Sequence, residues 1–273
     1  NILKPSDGKP IVTPAQDMVL GNYYLTMEKV SDEEGRVFKN ANEALMAYER
    51  REIDLHTRFA VPVNSFKHKV FMDNQKDKYL ITTVGKLKFN EILPDAYQYI
   101  NEGSKENIDN SDVLERLNLE KGKYFVLSAH REENVDNPRN FKALIESINA
   151  VAEEYKMPII FSAHPRTRKK IEAEGIIFSD YVKYMKPLGF NDYNKLQQNA
   201  FCVISDSGTI TEESSIMGFP AITIRQAHER PEGMDEGTLI MSGVDKEDVL
   251  DAIKVVTDED KKPHIVNDYD VDY

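Results

Sequence analysis

The chain has little cysteine, no long apolar run and a shortage of positive charge, and each of these excludes a class of protein. The single cysteine, Cys202, has no second cysteine with which to form an internal disulfide, so a cytoplasmic setting is expected. No apolar run is long enough to span a bilayer, which argues against a membrane protein. The net charge of −12 argues against autonomous nucleic-acid binding, because that function normally needs a basic face.

The remaining composition is that of a globular protein. A length of 273 residues predicts one large or two ordinary domains, each able to bury a substantial core. The first five residues lack an apolar core segment, so no signal peptide is predicted.

The organisation of the chain changes near residue 110. Residues 1–100 read as irregular and β-rich, with one clear helix that begins at Asn40 and has Glu43 three residues later as a capping box. Strand-like stretches lie at 55–61 and 79–84. The polar stretch 101–110 then has the composition of a linker.

From residue 111 onward the pattern is a regular alternation of helices and strands. Strands are predicted at 124–127, 158–161, 182–185, 201–204 and 221–224, and helices at 112–119, 141–155, around 168–171, 193–200, 209–217 and 246–257. Gly218 follows the 209–217 helix as a C-cap signal. This alternation predicts an α/β fold with a doubly wound parallel sheet, which binds ligands at the carboxyl ends of its strands.

The stretch 205–213 (SDSGTITEE) is the most informative of the polar segments at those strand ends. It follows an apolar strand and opens a helix, so its backbone N–H groups and the Ser207 and Thr209 hydroxyls suit a phosphate or diphosphate. Glu213 lies about one helical turn further on, where a carboxylate can accept both hydroxyls of a ribose. An ordinary βα turn with a Ser/Thr cap explains the same residues, and both interpretations stay open on this segment alone.

Three further polar segments follow predicted strands. In 128–134, His130 and Arg131 are candidates for diphosphate contact or proton transfer, although on this segment alone a surface loop with a merely hydrogen-bonded histidine is the favoured interpretation. Segment 162–167, which contains His164, is placed in the same way and is equally ambiguous. Segment 225–238 is a charged, glycine-containing loop, for which a ligand-binding role is favoured over a merely solvated one.

Together these four segments resemble the non-hydrolysing UDP-N-acetylglucosamine 2-epimerases, in the same order and spacing, from about Ser111 to the end of the chain. The resemblance is to the C-terminal, nucleotide-binding half of a B-type glycosyltransferase architecture, which implies a Rossmann-like domain for this region. The stretches 233–235 and 237–243 look most like the branch that makes UDP-N-acetyl-L-fucosamine for capsule and O-antigen.

The resemblance implies a role for each candidate residue. Ser207 and Gly208 would hold the UDP phosphates, Glu213 the ribose, and Arg230, with Arg131, the diphosphate. His130 would be the active-site histidine, and Tyr193 would lie near the uracil. Thr209 stands where relatives often have glycine and would place a side chain close to the phosphates. His164 matches a position that is tied in some relatives to a regulatory nucleotide-sugar site. Neither a metal nor a cofactor is implied. The expected ligand is UDP or a UDP-N-acetylhexosamine, and a homodimer is a further expectation.

Residues 1–108 resemble a different family, the β′ subunit of bacterial RNA polymerase. The resemblance rests on the stretches 1–14, 16–26 and 82–94. In that family this region follows an Asp-rich, Mg²⁺-binding loop, which this chain lacks, so nucleotide addition is not expected.

The chain is therefore interpreted as a chimera joined near residues 110 and 111, with the epimerase-like part ending early. The 2-epimerases take the acid–base carboxylates for elimination and re-addition of UDP from their N-terminal domain, which residues 1–110 do not resemble. We therefore expect UDP binding with little or no turnover. The alternative is a β′ fragment that acts in transcription only through protein contacts.

Overall fold

The computed structural model describes residues 16–66, 69–71, 78–94, 97–101, 103–225 and 239–258. Contacts divide the chain into two compact units at residues 109 and 110. We call their described parts the N-terminal unit (16–109) and the C-terminal unit (110–258), and each is described by itself. No helix among the described residues is long and apolar enough to cross a membrane.

The N-terminal unit combines four helices with a small mixed sheet in its described part. Its elements are α1 (Gln16–Thr26), β1 (Arg36–Val37), α2 (Ala41–Glu49), β2 (Phe59–Pro62), β3 (Tyr79–Thr82), α3 (Val84–Glu91) and α4 (Ser104–Asp109). The strands lie in the order β1-β2-β3, with β1 parallel and β3 antiparallel to β2. The predicted cap of α2 is confirmed, since the Asn40 side chain accepts a hydrogen bond of 3.0 Å from the backbone N–H of Glu43.

The expectation of one helix in residues 1–100 is wrong, because α1 and α3 also lie in this range. The predicted strand 79–84 ends at Thr82, and the Thr83 side chain caps α3 by accepting a hydrogen bond from Lys86 N. Threonine is favoured both in strands and at helix N-caps. Here Thr82 ends the strand and the next residue, Thr83, caps the helix. The predicted linker is also wrong in part, since α4 lies within it and buries Ile108 completely.

The C-terminal unit is the alternating α/β part of the chain. Its elements are α5 (Val113–Arg116), β4 (Phe125–Ser128), α6 (Glu132–Val135), α7 (Pro138–Tyr155), β5 (Ile159–Ser162), α8 (Pro165–Ala173), β6 (Val182–Met185), α9 (Phe190–Asn199), β7 (Cys202–Ser205), α10 (Ile210–Met217), β8 (Ala221–Thr223), β9 (Leu239–Met241) and α11 (Lys246–Val256). Every predicted strand and helix of this region is present. The sequence analysis missed α6 and β9, which are only four and three residues long.

The sheet of the C-terminal unit is parallel, with the order β6-β5-β4-β7-β8-β9. The chain starts in the middle at β4, adds β5 and β6 on one side, and then returns to add β7, β8 and β9 on the other. The predicted doubly wound parallel sheet is therefore confirmed. Its topological switch point lies between β4 and β7, where folds of this kind have a crevice at the carboxyl ends of the strands.

Both faces of the sheet are covered at its central strands, which explains why β4, β5, β7 and β8 are buried on both sides rather than alternating. On one face, Phe125 and Leu127 of β4 share a buried cluster with the apolar stripe of α7, including Leu144 and Val151. On the other face, Val126 belongs to a second cluster that includes side chains of α9 and α10. The strand ends are therefore held on a rigid, two-sided core.

Gly218 ends α10 in the left-handed conformation, with φ of +71°, and its N–H donates to the Ser214 carbonyl at 2.9 Å. We expect Gly218→Ala to lower the free energy of unfolding by about 1 kcal/mol, because a Cβ disfavours this backbone conformation. An added Cβ would contact nothing within 4 Å, so backbone strain alone is tested. Gly218→Asn is the control and should cost less, because asparagine tolerates this region better. Equal losses in urea denaturation would contradict the explanation.

Candidate functional site

The candidate site lies at the switch point, where the turns that follow β4 and β7 are neighbours. Ser128 and Ser205, the last residues of these strands, are paired in register. The backbone N–H of Asp206 donates to the Ser128 carbonyl at 3.1 Å, which extends the pairing one residue beyond the strands. The two polar segments 128–134 and 205–213 therefore begin side by side.

The carboxylate of Asp206 joins these two turns. It is fully buried and accepts hydrogen bonds from the backbone N–H groups of His130 and Arg131, each at 2.9 Å. The His130 ring atom Nδ1 lies 3.1 Å from the same carboxylate, and the Asn134 amide donates to it at 3.3 Å. In return, Arg131 Nε donates to the Asp206 backbone carbonyl at 3.0 Å. One buried charge thus holds the segment that contains the candidate histidine.

The pKa values of the two partners move in opposite directions. The hydrogen bond to Asp206 raises the pKa of His130 above its ordinary 6.5, although burial and the Arg131 charge oppose the shift. Burial alone would raise the pKa of Asp206, but the His130 ring and the backbone N–H groups outweigh it and hold this pKa below its ordinary 3.8. Asp206 contributes to stability above pH 3.8, and this contribution is lost as the pH falls through its lowered pKa. His130 contributes to stability below pH 6.5, and this contribution is lost as the pH rises through its raised pKa.

The turn after β7 is organised by its own hydroxyl groups. Ser207 N donates to Ser205 Oγ at 3.0 Å, and the hydroxyl oxygens of Ser207 and Thr209 are 3.0 Å apart. Thr209 is the N-cap residue of α10 but makes no side-chain capping hydrogen bond. Ser207 and Gly208 are partly exposed, so this turn presents the start of α10 at the surface of the site.

Glu213 is held in one position from two sides. Only 3% of this residue is exposed, and its carboxylate accepts from the Thr209 hydroxyl at 2.7 Å and from the Gln197 amide at 2.9 Å. Tyr193 of α9 lies next to it: burial raises the pKa of the Tyr193 phenol, the Glu213 charge raises it further, and a hydrogen bond with Ser128 opposes the change. The hydroxyl of Thr209 therefore faces a carboxylate inside the unit.

His164 begins α8 in the neighbouring turn after β5 and is exposed. Its Nδ1 accepts a hydrogen bond of 3.4 Å from Arg166 N, and the Arg166 side chain pairs with Glu132 at 2.9 Å. The buried hydroxyl of Thr167 donates to the Ala129 carbonyl at 3.0 Å. This third turn is therefore attached to the segment that carries His130.

The structure brings most of the predicted site residues together at the strand ends. His130, Arg131, Tyr193 and the stretch 207–213 are linked through Asp206, Ser128 and Glu213, while Arg230 lies outside the described residues. Among the described residues, no group of three or more His, Cys, Asp or Glu side chains is arranged to hold a metal ion.

The sequence analysis assigned no role to Asp206, Asn134 or Gln197, although each is buried and bonded within the site. One signal for Asp206 was present in the sequence. A carboxylate directly after an apolar strand, at the edge of a core, needs donors to offset the cost of its burial.

The Thr209–Glu213 hydrogen bond can be tested by measuring stability. We expect Thr209→Val to lower the free energy of unfolding by about 2 kcal/mol, because a buried carboxylate loses a donor while the side-chain shape is kept. Thr209→Ser is the matched control: it keeps the hydroxyl and should cost less. A larger loss for Thr209→Ser than for Thr209→Val in urea denaturation would show that packing of the methyl group, rather than the hydrogen bond, matters.

Comparisons with solved structures identify one fold. A UDP-N-acetylglucosamine 2-epimerase from Rickettsia bellii is 33% identical, with a TM-score of 0.53 over 95% of this chain and 76% of that one. The Methanocaldococcus jannaschii UDP-GlcNAc 2-epimerase is 24% identical, with a TM-score of 0.54 over 85% of this chain and 72% of that one, and at this identity the likeness concerns the fold.

Curated proteins show a second similarity. The RNA polymerase β′ subunit of Bacillus pumilus is 55% identical over 134 residues, which is 49% of this chain and 11% of that protein. The Bacillus subtilis β′ subunit is 58% identical over 123 residues, which is 45% of this chain and 10% of that protein. The chain thus spans about a tenth of the length of these relatives, and its similarity to two unrelated families is consistent with a chimera.

A sequence profile of the family described as UDP-N-acetylglucosamine 2-epimerase matches residues 35–272. The match begins well before Ser111, where the sequence analysis placed the start of the resemblance, so it reaches into the N-terminal unit. It includes both strands of the switch point and every described residue of the candidate site. By this match, the chain belongs to the UDP-N-acetylglucosamine 2-epimerase family.

Proposed function

We propose that the C-terminal unit binds UDP and UDP-N-acetylhexosamines at the switch point, as the nucleotide-binding half of a 2-epimerase. The observation that supports this most is the joining of the β4 and β7 turns by Asp206, which brings a histidine and a hydroxyl-rich turn together at the strand ends. The solved epimerases from Methanocaldococcus jannaschii and Neisseria meningitidis are described as complexes with UDP-GlcNAc, the former also with UDP.

In this proposal the diphosphate lies against the turn after β7. The partly exposed Gly208 and the start of α10 supply backbone N–H groups, and the partly exposed Ser207 supplies its hydroxyl. His130 and Arg131, on the neighbouring turn after β4, are proposed to supply positive charge, and Arg230 is proposed to add to it. Cations are needed here, because Asp206 and Glu213 already place two negative charges near the incoming diphosphate.

The nucleoside is proposed to lie beyond the phosphates, toward α9. Glu213, whose carboxylate is held by Thr209 and Gln197, is proposed to accept the ribose hydroxyls. Tyr193, on whose phenol the Glu213 charge acts, is proposed to contact the uracil. Thr209 acts in this arrangement by orienting Glu213.

Calorimetry with UDP and 2′-deoxy-UDP tests this arrangement. We expect the wild-type chain to bind UDP more tightly than 2′-deoxy-UDP, and Glu213→Gln to weaken UDP binding by about tenfold, because a charged acceptor for the ribose is lost. Glu212→Gln is the matched control and should leave UDP affinity unchanged, since adjacent helical residues face different directions. Absence of heat at millimolar UDP would refute nucleotide binding altogether.

We further propose that the chain has little or no epimerase turnover, because the sugar-side acid–base carboxylates are not recognisable in it. Incubation with UDP-GlcNAc in deuterated water should leave the sugar C2 position unlabelled by NMR, whereas an active 2-epimerase exchanges this proton. Deuterium at C2 above a protein-free blank would contradict the proposal. The assignments to the UDP-N-acetyl-L-fucosamine branch of capsule and O-antigen synthesis, to a homodimer and to the cytoplasm remain proposals of the same kind.

A second candidate function is protein contact by the N-terminal unit in the manner of an RNA polymerase β′ segment. It is favoured by the identity of 55% to β′ and by an exposed apolar sheet face. Val37, Tyr79 and Ile81 expose 63%, 61% and 60% of their surfaces, and they share this face with Ala60 and Pro62 across the strand pairs.

Purified RNA polymerase subunits can be tested for binding to immobilised full-length chain. On this second candidate we expect Ile81→Lys to abolish binding, because a charge on the sheet face would have to be desolvated in the contact. Ile177→Lys in the C-terminal unit, at an exposed isoleucine, is the matched control and should have no effect. No binding by the wild-type chain would remove this candidate.

A further inference from the structure

His130 is held so that its two ring nitrogens have different surroundings. Nδ1 lies 3.1 Å from the buried Asp206 carboxylate, while 47% of the His130 side chain is exposed. Because the second nitrogen, Nε2, lies on the other side of the ring, it is directed away from Asp206. Nε2 has no hydrogen-bond partner in the part of the chain that the structure describes.

We propose that Asp206 is a positioning residue for the nucleotide site: it fixes the His130 ring and its protonation, so that Nε2–H is presented as a cationic donor to the diphosphate. This inference rests on the proposed function for its ligand, but not for the Asp206–His130 pair itself. Asp206 contacts no ligand in this scheme and acts only through His130.

The geometry determines which nitrogen carries the proton. An ionised carboxylate can only accept hydrogen bonds, so Nδ1 must be the donor to Asp206. In the neutral ring Nε2 is then an acceptor, and it becomes a donor only when the ring takes up a second proton. A phosphate oxygen also accepts, so contact with the diphosphate requires the doubly protonated ring, which the negative charge of Asp206 favours.

The surrounding groups are consistent with this role. Besides Asp206, Arg131 is a charged group that acts on His130, and its charge opposes protonation of the ring. Tyr193 of α9 lies near Asp206 with its phenol pKa raised and is neutral at physiological pH. Asp206 also holds the backbone N–H groups of residues 130 and 131, so the ring and the chain that carries it are positioned by one carboxylate.

A purely structural role for Asp206 is the competing explanation, and the chain offers a matched control for it. The buried Thr167 hydroxyl donates to Ala129 O at 3.0 Å and so anchors the same segment without any charge. Thr167→Val keeps the shape of the side chain and removes this anchor. It should loosen the segment without changing the electrostatic surroundings of His130.

The test is an NMR titration of the His130 ring in the ligand-free, full-length protein, with its resonance assigned by its absence in His130→Gln. We expect Asp206→Asn to lower the pKa of His130 by about 1 unit, because an opposite charge in contact is removed while the shape is kept. Thr167→Val should leave this pKa unchanged. An unchanged pKa in Asp206→Asn, or an equal fall in both variants, would overturn the inference.

Two further measurements keep the inference testable if a variant does not fold and separate it from the proposed function. In the wild-type protein, ring ¹⁵N shifts above the pKa should show the proton on Nδ1, and a proton on Nε2 would overturn the inference. UDP affinity should fall as the pH rises through the pKa of His130, and an affinity that does not change there would refute the donor role. If UDP does not bind but Asp206→Asn still lowers the pKa of His130, the proposed function and the diphosphate contact of His130 are both overturned. The positioning of His130 by Asp206 would then still stand.

Discussion

The buried carboxylate of Asp206 is the interaction on which the candidate site depends. A charge with no exposed surface is costly unless donors surround it, and the donors here come from the turn after a different strand. Satisfying the carboxylate therefore forces the β4 and β7 turns together and orients His130 at the same time. The arrangement resembles other protein sites in which a buried carboxylate sets the tautomer and the direction of a histidine.

A second buried carboxylate, that of Glu213, is also held by hydrogen-bond donors from other parts of the unit. Thr209 and Gln197 donate to its two oxygens, and they belong to different helix–turn elements of the unit. Both carboxylates are thus oriented before any ligand arrives, which lowers the entropy that binding must overcome. Because preorganised negative charges repel a diphosphate, the proposed nucleotide site would depend on positive charge at positions 130 and 131.

The chain is similar to two families, and its two compact units differ in architecture. The C-terminal unit has a complete doubly wound sheet in its described residues, with buried clusters on both faces. The N-terminal unit has its own buried cluster and a small mixed sheet with one apolar face exposed. The family match from residue 35 extends across the boundary between the units, whereas the β′ similarity covers about half of the chain.

The sequence by itself determined the order of elements in the C-terminal unit, because apolar strands and amphipathic helices leave strong periodic patterns, and it placed the polar segments at the strand ends. It failed at Thr83, where one residue type serves both strand and helix cap, and at α6 and β9, which are too short to leave a pattern. Only the tertiary structure decided that β4 lies beside β7 and that Asp206 meets His130, 76 residues away in the chain. Strand order arises from long-range packing of whole strands, and no local pattern records it.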